Sequence, residues 1–379
     1  MRRMPVEANP PGSGLLVVDD YFPNLLTGFR VAEFTHYLRV FPGMRIASTA
    51  PDFAALHAAY AARHADVAAQ VVPWSPDSIR TARAVSLTFL NNAYHWVDEL
   101  DRHGIPFVFT LYPGGGFELG EARSMAKLKR VLASPMLRSV VATQPVTVET
   151  LSPICRVPVL ELPGLVISPS YLAADAVRCP PAAEEGLRIC FAAYRYDAGG
   201  RSKGYPEFIA AASELARRHG NLRFVVAGNF STSDWPIPDH LAPRLSFVGP
   251  LPTQELRQFF LGQDVMVAPT MRFALTGTEF DGFPTGSCVE ASLCGVAIIC
   301  SDELRQNRHY EDGKEIMICE PEAASIISFL DDLARHPDRA LRIGRRGQQR
   351  TIKLYGTAAQ LLPRTRLLRN LADNVGIRL

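Results

Sequence analysis

The residues best suited to chemistry lie in the run Glu279-Phe280-Asp281-Gly282-Phe283-Pro284-Thr285-Gly286-Ser287-Cys288-Val289-Glu290. It reads as a turn rich in Gly and Pro, a short helix from about Gly286 to Cys294, a stop at Gly295 and a buried strand. Such a turn feeds straight into a helix N-terminus, where unpaired N–H groups and the helix dipole attract an anion. Gly282 and Gly286 let a ligand approach the backbone closely, at Phe283, Pro284 and Thr285 between them and at Ser287 just beyond. Asp281 and Glu290 flank these donors. Backbone donors for phosphate beside carboxylates for hydroxyls suit a nucleotide sugar. The same letters fit a second reading. Ser287-Cys288-Val289-Glu290 is also a capping box, in which Glu290 only reaches back to a cap N–H.

A cationic candidate lies upstream. Lys203 follows a strand and a loop, and Lys203-Gly204-Tyr205-Pro206 opens a well-marked helix over Pro206–His219. Arg195 and Arg201 share its loop. The ordinary fate of any one such residue is a solvated loop cation.

Together these segments resemble family-4 retaining glycosyltransferases of GT-B fold. The family pattern is E-G-F, a short run, then E-A-x-x-x-G-x-P-V; here it reads Asp281-Gly282-Phe283, then Glu290-Ala291 and Gly295-Val296-Ala297. The first acid is Asp, and the two acids are nine positions apart rather than eight. The resemblance implies that Asp281 holds hydroxyls of the donor sugar, with Glu279 as its rival, and that Glu290 holds the ribose. It also gives the diphosphate two cations, Lys203 and Arg195, with Arg201 as a substitute because the loop is longer than usual. Phe224–Asn229 resembles the strand whose Gly228 borders the cleft, and Phe247–Leu251 the segment whose backbone at Leu251 meets the base. Asp264–Thr270 resembles the strand before the acidic loop. The resemblance spans roughly residues 188–350. It implies a nucleotide-diphosphate-sugar donor, retention, and neither metal nor cofactor.

Resemblance is thinner in the first half. Gly28, in Leu26-Thr27-Gly28-Phe29-Arg30, sits where the family brings a glycine loop to the donor phosphates; a plain turn glycine is the alternative. Tyr112-Pro113-Gly114-Gly115-Gly116-Phe117 follows an apolar strand and reads as an acceptor-binding loop, with Tyr112, Phe117 and Arg123 in contact. Many family members carry a His at this strand end, where this chain has Tyr112. His95, His103 and His309 read as structural, and Asp19-Asp20 is not a metal motif.

Short β-branched runs that alternate with helical patterns must position these residues. They fall at Leu15–Val18, Val85–Phe89, Phe107–Thr110, Ser139–Thr143 and Val157–Leu160. After a break they restart at Arg188–Ala192, Arg223–Ala227, Leu245–Val248, Val265–Ala268, Val296–Cys300 and Glu315–Ile318. The expected class is α/β, with two facing Rossmann-like doubly wound domains and a ligand cleft between them. The boundaries read as a disordered lead-in over 1–14, an acceptor domain over 15–165 and a linker over 166–187. A nucleotide-sugar domain follows over 188–350, and a final helix within 351–379 crosses back to the first domain. The leucines and arginines of 355–371 also suit a basic amphipathic membrane contact.

Composition excludes other classes. Lys+Arg 40 against Asp+Glu 38 leaves a net charge of +2, too little for a dedicated nucleic-acid binder. At 47% hydrophobic, the 379 residues suffice for two domains with real cores. No run approaches the ~20 apolar residues of a spanning helix. Seven scattered cysteines without a CxxC pair argue against a disulfide framework or a zinc site. A cytoplasmic protein is expected, with peripheral contact at the inner membrane face as an option. Two rivals remain: a sugar-nucleotide epimerase of the same fold and a non-catalytic nucleotide-sugar-binding module.

Overall fold

Alternating runs of buried β-branched residues and amphipathic segments build two parallel sheets, each layered by helices. The computed structural model describes residues 14–172 and 186–373. Most of the lead-in, residues 173–185 of the linker and Cys179 lie outside the described residues.

In the first lobe the order is β1 (Leu15–Asp19), α1 (Gly28–Val40), β2 (Arg45–Ser48), α2 (Phe53–Arg63), β3 (Val71–Pro73), α3 (Pro76–Arg80) and β4 (Ala84–Thr88). It continues with α4 (Leu90–His103), β5 (Phe107–Leu111), α5 (Ala122–Leu132), β6 (Leu137–Ala142), α6 (Pro145–Leu151) and β7 (Val159–Glu161). The second lobe runs β8 (Arg188–Ala192), α7 (Tyr205–Arg218), β9 (Arg223–Ala227), β10 (Leu245–Gly249), α8 (Thr253–Leu261) and β11 (Val265–Ala268). Then come α9 (Gly286–Leu293), β12 (Ala297–Ser301), β13 (Met317–Cys319), α10 (Ala323–Arg335), α11 (Pro337–Tyr355) and α12 (Thr357–Ala372). Among the described residues no helix is long and apolar enough to cross a membrane.

Strand order is β3-β2-β1-β4-β5-β6-β7 in one sheet and β10-β9-β8-β11-β12-β13 in the other, with every pairing parallel. Each sheet reverses its winding once, between β1 and β4 and between β8 and β11. In open sheets of this kind the crevice beyond the carboxyl ends of those strands takes the ligand.

Two exchanges tie the lobes together. Helix α12 buries Leu367, Leu368 and Leu371 in the first lobe's core, and Arg364 comes within 3.4 Å of Glu33 on α1. Phe280, from the loop before α9, is only 5% exposed and packs in the first lobe against Phe117, ring centroids 5.6 Å apart. Of the five leucines of α12, Leu361, Leu367, Leu368 and Leu371 are buried in the protein and Leu362 alone is exposed, which leaves the helix without the continuous apolar face that a membrane contact needs.

Candidate functional site

A cavity of about 310 Å³ opens at the switch point of the second sheet. Its floor is the carboxyl end of β8 (Ala192, Ala193), of β9 (Ala227, Gly228) and of β11 (Ala268, with Thr270 beyond it); Leu26 faces it from the first lobe. Gly228 stands at φ +128°, and a Cβ there would come 1.9 Å from the Ala193 carbonyl oxygen. Only glycine fits so flat a floor.

One wall is the start of α9. Thr285 is the N-cap, in extended conformation and without a side-chain cap bond, and Thr285, Gly286 and Ser287 line the cavity. Ser287 and Glu290 lie inside the helix, and the capping-box reading fails for that reason. The N–H groups of the helix's first turn precede any intrahelical acceptor, so they form an anion corner.

Lys203 and Asp281 close the opposite wall. Lys203 Nζ donates to Asp281 Oδ2 at 2.5 Å, with the lysine side chain 12% and the aspartate 36% exposed. Glu279 is turned elsewhere. Its carboxylate accepts from the backbone N–H groups of Leu275 and Thr276 and from the Thr276 hydroxyl, closing its own loop. Burial raises its pKa, and these hydrogen bonds outweigh that and hold it below the usual range.

Glu290 points to the seam between the lobes. A Cβ on Gly28 would stand 2.9 Å from the Thr253 hydroxyl and 3.5 Å from Glu290 Oε1. Desolvation by burial pushes the Glu290 carboxyl up to about 8. The backbone N–H of Phe283 donates to Gln144 Oε1 at 3.0 Å, which ties the acidic loop to the N-cap residue of α6 in the first lobe. Gly282 packs against the same Gln144, and Pro284 is buried beneath the turn. Leu251 lines the cavity beside Pro250.

Other expected residues are not brought to it. The Arg195 guanidinium lies 3.3 Å from Asp234 and bonds the Asn229 carbonyl, and Arg201 sits over the Trp235 ring at 5.5 Å. The longer loop folds both arginines outward, so neither lines the cavity. The glycine loop of the first lobe is packed rather than open. Gly115 and Gly116 press on Phe89 and Asn91, while Gly114 pairs with Phe117. Phe117 is fully buried, and Tyr112 is buried with its phenol pushed up by desolvation and Glu33. Arg123 is exposed at the start of α5, away from the cavity. His103 pairs with Glu99 at 2.9 Å on its own helix and does not line the cavity.

Solved glycosyltransferases resemble this chain. Sucrose-phosphate synthase from Thermosynechococcus elongatus matches with a TM-score of 0.64 and 14% identity, over 95% of this chain and 99% of the other. HepE from Anabaena, solved with UDP, matches at 0.66 and 14% over 95% and 100%. A glycosyltransferase from Rickettsia africae gives 0.61 and 13% over 96% and 99%. The fold is GT-B. Residues 201–362 also match the family model described as "Glycosyl transferase-like". No curated protein sequence matches the chain.

Within this GT-B frame, sequence reasoning gave no role to Tyr194, Tyr196, Leu26 and Thr270, all of which line the cavity. A Tyr-x-Tyr pair in the loop after β8 was the available signal.

Proposed function

We propose that the chain is a retaining glycosyltransferase that moves a sugar from a nucleotide-diphosphate sugar to a hydroxyl acceptor, without a divalent metal, in polysaccharide or glycoconjugate synthesis. The observation that carries this reading is that Lys203, Asp281 and the unpaired N-terminus of α9 line one cavity at the sheet's switch point. When the diphosphate leaves, its growing negative charge needs stabilisation. The Lys203 ammonium and the first-turn N–H groups of α9 supply it, in a site partly closed to water. The single lysine works without help from Arg195, which is engaged with Asp234. Asp281 takes hydroxyls of the donor sugar, and Glu290, on the seam with Gly28, takes the ribose. Same-face attack, with the leaving phosphate receiving the acceptor proton, accounts for retention without a carboxylate nucleophile. One HepE structure is a complex with UDP and another a complex with UDP-glucose, which makes uridine nucleotides the first to try.

A panel of uridine, guanosine, adenosine and thymidine diphosphate sugars tests this, with free nucleotide and new glycoside as readouts and EDTA present in parallel. Lys203→Ala should lower turnover about a hundredfold, roughly 3 kcal/mol of transition-state stabilisation. An altered sugar without transfer would favour the epimerase, and nucleotide binding without turnover the binding module. The proposal fails if Lys203→Ala leaves donor affinity and rate intact.

A further inference from the structure

Two largely exposed tyrosines stand at the cavity's rim. Tyr194 is 51% and Tyr196 69% exposed, both line the cavity, and their rings lie 5.2 Å apart at 51°. Arg195, between them in the chain, is held outward by Asp234, which leaves the two rings turned to the cleft side of the loop. Exposed aromatic faces gathered at one cavity mark a binding surface more often than chance exposure does. On the facing lobe Leu26 is 52% exposed and lines the same cavity.

The first lobe's glycine loop, in contrast, offers little. Tyr112 and Phe117 are buried, and Gly115 and Gly116 are occupied by Phe89 and Asn91. An acceptor recognised by side chains must find them elsewhere.

We infer that Tyr194 and Tyr196 form a stacking platform for a pyranose ring of a saccharide acceptor, so that the second lobe supplies acceptor as well as donor contacts. This rests on the transferase reading above. The position of Tyr196 decides between donor and acceptor. Lys203 Nζ lies 5.2 Å from the Tyr196 ring centroid and is bonded to Asp281. The platform thus stands where the diphosphate parts from the donor sugar. Same-face attack requires the acceptor hydroxyl at that junction. A pyranose presents a face of axial C–H bonds, weakly positive and apolar, which suits the negative face of a phenol ring. A lipid chain has no flat face of this kind, and a nucleobase held here would block the attack.

The test separates acceptor from donor. UDP, GDP and ADP are titrated calorimetrically into the wild type, Tyr194→Ala, Tyr196→Ala, the double variant and both Tyr→Phe variants. Saturation-transfer NMR with maltose, cellobiose and methyl α-D-mannopyranoside follows, in the presence of the preferred nucleotide. Circular dichroism of each variant reports folding, which substitution of such exposed rings should leave unchanged. The wild type should show saccharide enhancement, the double alanine variant should lose it at least tenfold, and the Phe variants should keep it. Nucleotide Kd should change less than twofold throughout. Saccharide binding retained in the double variant overturns the inference, as does loss in the Phe variants or wild-type silence towards every saccharide while nucleotide binds. A tenfold weaker nucleotide with saccharide unaffected also overturns it and reassigns the rings to the base. Failure of the wild type to bind any nucleotide sinks the transferase reading and this inference with it.

Discussion

Replacing Asp281 with asparagine should tighten the binding of a nucleoside diphosphate while slowing transfer. Lys203 donates to Asp281 at 2.5 Å, so a diphosphate entering the cavity must share or displace that carboxylate. Two unit charges about 4 Å apart interact by about 4 kcal/mol at an effective dielectric constant of 20, and fully exposed pairs yield only about 0.2–1 kcal/mol. With Lys203 12% and Asp281 36% exposed, the pair falls between these limits, at about 1–2 kcal/mol. Asparagine keeps the shape and removes the competing charge, which should lower the Kd of the preferred nucleoside diphosphate roughly tenfold. Donor turnover should move the other way. A charged hydrogen bond to a sugar hydroxyl is worth about 1.5–3 kcal/mol, so kcat/KM should fall about ten- to a hundredfold. Calorimetry and nucleotide-release kinetics read the two effects on one preparation, and the affinity gain should shrink at high salt. An unchanged or weaker Kd in Asp281→Asn would refute the reasoning, because Lys203 would then not be the group that the diphosphate takes from Asp281.

Nucleotide binding near pH 7 should release close to one proton. The Glu290 carboxyl, pushed up to about 8, is mostly protonated there, and ribose hydroxyls donating to it favour the ionised form. Calorimetry in buffers of different ionisation enthalpy measures the release, and Glu290→Gln should abolish it. The same group sets a stability slope. Below the unfolded value near 4.5 the carboxyl is protonated in both states; between there and about 8 only the folded state keeps the proton, so stability falls by about 1.4 kcal/mol per pH unit. Chemical unfolding of Glu290→Gln across that window should lack this slope. Phe280→Ala should cost about 3 kcal/mol of stability, because it empties a site between Phe117 and the first lobe's core. It should also tighten the binding of a nucleoside diphosphate, because a loosened Asp281 competes less for Lys203, and a urea titration with parallel calorimetry checks both.

Much of the second lobe was legible because its chemistry is carried by backbone. Glycine, proline and a following apolar strand specify a turn, a helix start and a helix stop with few alternatives, and the helix at Gly286–Leu293 follows from them. The helix after Lys203 begins at Tyr205, one residue before the proline that marked it. Ser287-Cys288-Val289-Glu290 was ambiguous for a physical reason. The pattern says nothing about which residue takes extended φ and ψ, and Thr285 does so here. Strands β2 and β3 were missed, since Arg-Ile-Ala-Ser and Val-Val-Pro are too short to show a period and gain their strand character from pairing beside β1. The outward turn of Arg195 depends on Asp234, thirty-nine positions later, and no local pattern reports such a partner. Burial of the glycine loop depends likewise on Phe280 and Phe89, which come from other elements.

The corner of Lys203, Asp281 and the start of α9 cannot be assigned to the second lobe alone, although its residues come from there. Asp281 lies between Phe280, whose ring is set in the first lobe, and Gly282, which rests on Gln144 of that same lobe. The Phe283 N–H is held by Gln144 Oε1, and Leu119 donates its backbone N–H to the Thr278 carbonyl at 2.9 Å. The loop that carries the first acid is therefore fastened on both sides by the first lobe, while Lys203 and the start of α9 are fixed by the second sheet. Any hinge motion that separates the lobes must draw Asp281 away from Lys203 before it disturbs the anion corner. On the proposed reading, opening frees the ammonium for an incoming diphosphate, and closing returns the carboxylate to the sugar side. The ion pair and the interlobe seam act as one element, so seam substitutions remote from the cavity should change nucleotide affinity through Asp281.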